Sequence, residues 1–178
     1  MPPPDHPIRI RPLIPADLPA ALAIQQQSYP AFLLEDEPAF LSRLEIAASY
    51  SLAATRDGAL IAYLLAHGWT SAAPPPVGTV LPRHAASEVL FIHDLAVAAA
   101  GRGSGIGARL VSTALDLAIA DRLPTAELIA VEGAADYWRA QGFSEATCSP
   151  QLAAKVASYG PAARWMTRTI APETGPVA

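Results

Sequence analysis

Residues 91–117 read F-I-H-D-L-A-V-A-A-A-G-R-G-S-G-I-G-A-R-L-V-S-T-A-L-D-L, and this stretch decides the fold. Its first part extends a run, Val89–Val97, of β-branched and large apolar residues with no turn former inside, which predicts a buried strand. From about Ser104 onward, Ile106, Leu110, Ala114 and Leu117 recur at helical spacing. Between strand and helix lies Arg102-Gly103-Ser104-Gly105-Ile106-Gly107. Glycines there let the backbone take φ > 0 and approach a ligand closely. The first turn of a helix leaves N–H groups without intrahelical partners, backed by the positive end of the helix dipole. Such a turn with an arginine at its lip suits a phosphate or pyrophosphate.

Three phosphate motifs compete for this turn. A mononucleotide loop needs Lys-Ser/Thr after its last glycine, and Ala108-Arg109 stands there instead. The dinucleotide fingerprint is met by Gly103, Gly105 and Ala108, with Asp121 near the offset of the ribose-binding acid. That fingerprint, however, belongs to a tight turn in a first βαβ unit, whereas this one lies past mid-chain behind a loop over residues 98–102. The third pattern, R-x-x-G-x-G, is filled by Arg102, Gly105 and Gly107 behind the strand H-D-L-A-V. Together with A-A-D-Y-W-R-A-Q-G-F at residues 134–143, it resembles two successive motifs of the GNAT superfamily of N-acetyltransferases.

That resemblance implies an α/β fold: a single domain over residues 8–171 with a central mixed, mostly antiparallel twisted sheet flanked by helices, and short tails at 1–7 and 172–178. It implies a transferase, an acyltransferase that uses acetyl-CoA as co-substrate and moves its acetyl group to a primary amine by direct attack in a ternary complex. The acceptor is then a small-molecule or peptide amine, and the superfamily often forms homodimers. Two readings from other classes stay open, a non-catalytic acyl-CoA-binding sensor and a dinucleotide-dependent oxidoreductase.

Composition agrees with one globular domain: 178 residues, 52% hydrophobic and 16% charged. The net charge of −4, with no basic cluster, speaks against a nucleic-acid partner. A single cysteine, Cys148, excludes an internal disulfide, suits a reducing compartment and leaves no metal cluster to expect. No apolar run approaches the roughly 18 residues of a membrane span, and the proline-rich start is no signal peptide, so the expectation is a cytoplasmic protein away from membranes.

Around the organising stretch, residues 8–13 alternate as a first strand, and Asp17 is placed to cap a helix running to Ser28. A second helix is expected from Pro38 to about Ala48. Residues 51–55 and 59–69 form a hairpin candidate joined by Arg56-Asp57-Gly58, in which Asp-Gly is a strong turn signal. Residues 70–86 make a proline-rich loop, either a lid or a mobile segment. Residues 126–131, 142–147 and 164–170 read as strands, and 133–141 and 151–158 as helices.

Amine acetylation needs a base, donors for an oxyanion and a route for the departing thiolate. His93, an imidazole in mid-strand on a face shared with Phe91, Leu95 and Val97, is the candidate base. Asp94 is expected on the opposite face in a structural role. The resemblance assigns main-chain N–H groups of Leu95, Ala96 and Val97 to the thioester arm. It gives Arg102, Gly103, Ser104, Gly105, Ile106 and Gly107 to the pyrophosphate. The superfamily's usual acid, a tyrosine four residues before the glycine of Gly-Phe, is Trp138 here. That leaves the acid open among Tyr159, water or none, and puts Trp138 beside the CoA arm. Tyr137 lies about 100° away on a helix and is not given the role. Candidate acceptor liners are Gln25, Tyr29, Glu35, His67 and Trp69, with Glu35 read as part of the solvated acidic run Glu35-Asp36-Glu37.

Overall fold

The computed structural model describes residues 6–171, so the expected tails fall, apart from His6 and Pro7, outside the described residues. In chain order the elements are β1 (Arg9–Pro12), α1 (Leu18–Ser28), α2 (Glu37–Glu45), β2 (Leu52–Arg56), β3 (Ala59–Trp69), β4 (Val89–Val97) and α3 (Ile106–Ala120). There follow β5 (Thr125–Ala130), α4 (Ala135–Ala140), β6 (Ser144–Glu145), α5 (Pro150–Ala157) and β7 (Arg164–Thr169). The strands form one sheet in the order β1-β2-β3-β4-β5-β7-β6, antiparallel except where β4 and β5 run parallel through the α3 crossover. This is the mixed, mostly antiparallel sheet that the sequence leads one to expect.

The local reasons are legible. Asp57 (φ 53°) and Gly58 (φ 78°) both adopt left-handed backbone, the two-residue turn whose twist matches a hairpin. The second helix is capped by Asp36, whose carboxylate accepts the Ala39 N–H at 3.0 Å, and it ends at Glu45 rather than Ala48. Asp17 does not cap α1. It closes a 3-10 turn, accepting the Ile14 N–H at 3.0 Å and pairing with Arg11 at 2.7 Å. The strand expected over 142–147 shrinks to Ser144–Glu145 at the sheet edge.

Both faces of the sheet are covered. One is packed by α3, through Ile106, Leu110, Val111 and Ala114, against Leu64, Leu90 and Ile92, with Trp138 and Phe143 in the same layer. The other carries α1 and α2 over Tyr63, Leu65 and Ala96, and α5 over Phe91 and Trp165. The loop over residues 70–86 is anchored against the site end of the sheet. It is tied down by the Trp69 indole to Ala73 O (2.8 Å), Ser71 and Ala72 to the Glu127 carboxylate, and Tyr159 to Pro75 O (2.7 Å). We refer to it as the strap.

Two irregularities of β4 set up everything below. Leu65 pairs with Asp94 and Ala66 with Ile92, so His93 is an extra residue in a β-bulge. On its other edge β4 pairs with β5 only over Leu90, Ile92 and the residue between them; beyond Ile92 the two strands part.

His67 is fully buried in this core, with Nδ1 3.1 Å from the Gly68 carbonyl and Nε2 unpartnered. Burial, then the neighbouring His93, pushes it from 6.5 down to about 3. The unfolded chain therefore binds a proton here near pH 6.5 that the folded chain refuses until about pH 3. Stability from this site is complete above 6.5 and is lost as the pH falls. Urea titrations should show the unfolding free energy dropping by about 2 kcal/mol between pH 6.5 and 4.5, with a shallower slope in His67→Gln. A second test concerns Gly68, where an added Cβ would stand 2.7 Å from Ser87 Cβ and 2.9 Å from Ala48 Cβ. Gly68→Ala should cost about 1–3 kcal/mol and lower Tm in a thermal scan.

Candidate active site

The parting of β4 from β5 opens a cleft of about 600 Å³ that passes from the α3 side of the sheet to the side carrying α1, α2 and α5. At the α3 end lies the glycine-rich turn. Gly103 (φ 75°) and Gly105 (φ 71°) take left-handed backbone, and Gly105 is the N-cap of α3. No protein acceptor meets the N–H groups of Gly105, Ile106, Gly107 and Ala108 among the described residues. A row of free donors at the positive end of a fifteen-residue helix is a ready anion site. Arg102, Gly103, Gly105, Ile106 and Gly107 line the cleft, whereas Ser104 does not; its hydroxyl turns back to the Gly101 carbonyl.

In the middle of the cleft runs the unpaired edge of β4. The Ala98 N–H reaches the Ile61 carbonyl on β3 at 2.8 Å, and N–H directions alternate along a strand. Ala96 therefore also faces β3, while the N–H groups of Leu95 and Val97 face the opening. Tyr29 confirms the direction from the far side, donating its hydroxyl to Leu95 O at 2.6 Å. Of the three residues expected to offer N–H groups here, Leu95 and Val97 do and Ala96 does not.

At the other end His93 meets a buried ion cluster. Its Nε2 lies 2.7 Å from Glu35 Oε1, and the same oxygen is 3.0 Å from Arg43 Nη2. Glu35 Oε2 accepts the Gly78 N–H of the strap at 2.7 Å, and the Gln25 amide brackets the Glu35 backbone with two 3.0 Å bonds. Arg43, fully buried, donates from Nη1 to Ala39 O (2.7 Å) and Thr79 O (3.0 Å). Burial pushes Glu35 up, but the His93 hydrogen bond, the charges of His93 and Arg43 and the Gly78 N–H together hold it below the ordinary carboxylate value. Burial, assisted by the charge of Arg43, holds His93 below 6.5 against the opposing pull of Glu35. The pair at neutral pH is thus carboxylate and neutral imidazole, with Nε2–H donated to Glu35. Nδ1, its lone pair free, is left for the cleft that His93 lines.

The bulge corrects the expected faces. His93 shares its side with Phe91 and His67, the ring centroids lying 6.0 and 6.5 Å away. Leu95 and Val97 instead join the α3 layer. Asp94 is not opposite His93 but beside it, its carboxylate accepting from the Tyr63 hydroxyl. Burial pushes Asp94 up, partly offset by the nearby Tyr29 and Tyr63 hydroxyls, of which Tyr63 donates to it.

Of the expected acceptor liners, Tyr29 and Gln25 border the cleft, while His67 and Trp69 do not. Glu35 borders it too, as a residue 5% exposed rather than part of a solvated run. Trp138 is largely core, edge-on to Phe143 at 5.5 Å, with one side on the cleft. The hydroxyl on the α3 side belongs to Tyr137, since a Cβ at Gly107 would come within 2.7 Å of it. Tyr159 lines the opposite end, its hydroxyl held by Pro75. Asp121, the acid that a dinucleotide site would need at a strand end, stands at the C-cap of α3 and accepts from Tyr50.

Arg43 and Gly78 escaped the sequence reading. Arg43 had a signal, since it follows Phe40 by one helical turn and so falls on the apolar face of α2. Glu35 had one as well. With Asp36 as N-cap it occupies the preceding position, whose side chain folds back over the first turn. Nothing local in the sequence marks Gly78.

Comparison with known proteins places this geometry. The structure resembles the ribosomal-protein-S18-alanine N-acetyltransferase from Escherichia coli at a TM-score of 0.69 and 19% identity, covering 97% of this chain and 99% of that one. Arabidopsis thaliana Naa50, solved with the bisubstrate analogue CoA-Ac-MVNAL, gives 0.66 at 13% identity over 91% and 98%. The GNAT-like decarboxylase GphF, solved with isobutyryl-CoA, gives 0.63 at 17% over 91% and 99%. At such identities the likeness is one of fold, and the third case shows that the fold also carries other chemistry. No curated protein sequence matches the chain. No helix among the described residues is long and apolar enough to cross a membrane. The model of the acetyltransferase (GNAT) family matches residues 18–143, well over half the sequence, and the chain belongs to that family.

Proposed function

We propose that the protein transfers an acetyl group from acetyl-CoA to a primary amine bound in the same cleft, with His93 as base. The observation that carries this reading is the continuity of the cleft, with free helix N–H donors at one end and the His93–Glu35 pair at the other. The residues fit the co-substrate. The N–H groups of Gly105, Ile106, Gly107 and Ala108, with Arg102, hold the pyrophosphate. Val97 offers its edge N–H group to the amide-bearing arm, as a neighbouring strand would use it.

An amine with a pKa of about 10.4 is neutral in only about one molecule in 2,500 at pH 7. Nδ1 of the neutral His93 takes the proton of the bound ammonium and passes it to solvent, and once the amine nitrogen has attacked the thioester carbonyl, Nδ1 takes one of the two protons left there. Glu35 fixes the tautomer that makes Nδ1 the acceptor and stabilises the imidazolium that forms. Arg43 and the Gly78 N–H keep Glu35 ionised for that purpose. The Leu95 N–H stands ready for the tetrahedral oxyanion. The new C–N bond persists, the C–S bond breaks, and CoA leaves as a thiolate of pKa about 8.5, which needs little acid help. Tyr137 supplies the tyrosine hydroxyl on that side of the cleft.

Calorimetric titration with acetyl-CoA beside NADH tests the co-substrate. Micromolar binding of acetyl-CoA alone is expected, and binding of NADH alone would overturn the assignment. Gly105→Asp should abolish acetyl-CoA binding in a protein that still folds, with a small drop in Tm from the left-handed backbone. Asp tolerates left-handed backbone, and the new Cβ meets nothing within 4 Å. His93→Ala should lower kcat by about 10²-fold near pH 7. The deficit should shrink as the pH rises toward that of the free amine, while the wild-type acid limb lies below pH 6.5, the direction in which burial moves His93. A wild-type-to-variant ratio independent of pH would assign His93 to the core.

A further inference from the structure

On the side of the sheet where His93 meets Glu35, the cleft is walled by Leu33, Val77, Phe91, Ile129, Val131 and Tyr159. Besides Glu35, two acidic residues border that end, Asp94, held by the Tyr63 hydroxyl, and Glu132. Among the described residues that line the cleft the sole Lys or Arg is Arg102, which belongs to the anion turn at the far end. Arg43 is sealed behind Glu35 and already shared with two carbonyls. Arg164, on the strand next to the mouth, turns one guanidinium nitrogen to the Pro161 and Ala163 carbonyls and does not line the cleft.

The backbone at Glu132 is unusual in its own right. The Ala134 N–H bonds to Val131 O at 2.9 Å, and both central residues of this turn, Glu132 (φ 49°) and Gly133 (φ 78°), are left-handed. Asn or Gly suits the first of these positions, and glutamate there is strained. The strained turn carries a carboxylate to the rim, beside an exposed aromatic ring. A Cβ added at Gly160 would lie 3.7 Å from Phe32 Cζ and 3.8 Å from Glu132 Oε1. Carboxylate and ring together draw in a cation.

We infer that the acceptor is a primary amine with an apolar body and no carboxylate, guided to His93 past Glu132 and Phe32. The inference rests on the transfer reading above. A carboxylate on the acceptor would enter an apolar chamber with no free cation to pair with and with Glu132 repelling it at the rim. A free amine and the amino end of a peptide share the required chemistry, because in both the nitrogen lacks a neighbouring carboxylate.

Thiol release from acetyl-CoA, measured with phenethylamine, phenylalaninamide and phenylalanine and again with isoamylamine, leucinamide and leucine, tests it. Each amine or amide should exceed its amino acid in kcat/KM by at least ~100-fold. Preference for the amides would identify a peptide end as the source, and preference for the simple amines a small molecule; both support the inference. Amino acids used as well as the amines would overturn it while leaving acetyl transfer intact. Thiol release with none of the six, while acetyl-CoA still binds, would overturn the transfer reading and this inference with it. Glu132→Gln should raise the amine KM by about 10-fold with acetyl-CoA affinity unchanged. Glu132→Arg should narrow the gap between amine and amino acid. An unchanged ratio in both variants would remove Glu132 from the inference.

Discussion

His93 is one residue more than β4 needs to pair with β3. Because Leu65 faces Asp94 and Ala66 faces Ile92, the ladder steps over it, and every side chain after it changes sides relative to strict alternation. Leu95 and Val97 thereby become half-buried residues packed beneath α3, which anchors the glycine-rich turn. Asp94 and Ala96 turn to the face covered by α1 and α2. The same step ends the partnership with β5, whose register stops at Ile92. Had β4 continued straight, its edge N–H groups would have been consumed by β5 and no cleft would pierce the sheet. A local insertion thus performs two tasks, aiming an imidazole and freeing a strand edge.

Removing charges from water is costly, and the cluster beside His93 shows how the fold offsets that cost. Glu35 has an arginine, an imidazole and a backbone N–H around its two oxygens. Arginine suits the position behind it, because a planar fork can serve a carboxylate and carbonyls from two segments at once. One of those carbonyls, Thr79, and the N–H of Gly78 belong to the strap. The long loop is therefore an integral wall of the site, and its order is linked to the charge state of Glu35. Its proline content limits the freedom it loses on folding.

Much of this was legible beforehand, and the division follows physical range. The glycine turn, the helix behind it and the Asp-Gly hairpin are short-range features, fixed by backbone permissiveness and by periodicity within one element. His93 was legible as a candidate because imidazole chemistry is a property of the residue itself. The bulge was not, since an unpaired residue has meaning only against the register of another strand. Glu35 looked like one of three adjacent acids, and only the helix cap at Asp36 separates its fate from theirs. The role of the strap depends on contacts with α2 and α5, far away in sequence, so its prolines spoke only of a loop. His67 and Trp69 shared a face in the sequence, yet that face is closed at their level by Phe91 and the strap.

The substitution of Trp138 for the usual tyrosine illustrates how far a motif can be trusted. Judged by position alone, a missing hydroxyl suggests lost chemistry. In the fold Trp138 fills a core space with Phe143, and the neighbouring Tyr137 reaches the cleft over Gly107. Gly107 has no side chain to obstruct it, and a methyl group there would collide with that hydroxyl. The pairing of a small residue at the start of α3 with a large one on α4 therefore keeps a hydroxyl on this wall of the cleft, one residue away from where the family pattern expects it. In the transfer proposed above, a thiolate of moderate basicity would tolerate such a shift, whereas the base for a strongly basic amine would not. The stricter geometry accordingly surrounds His93, where a carboxylate, an arginine and a bulge act on a single ring.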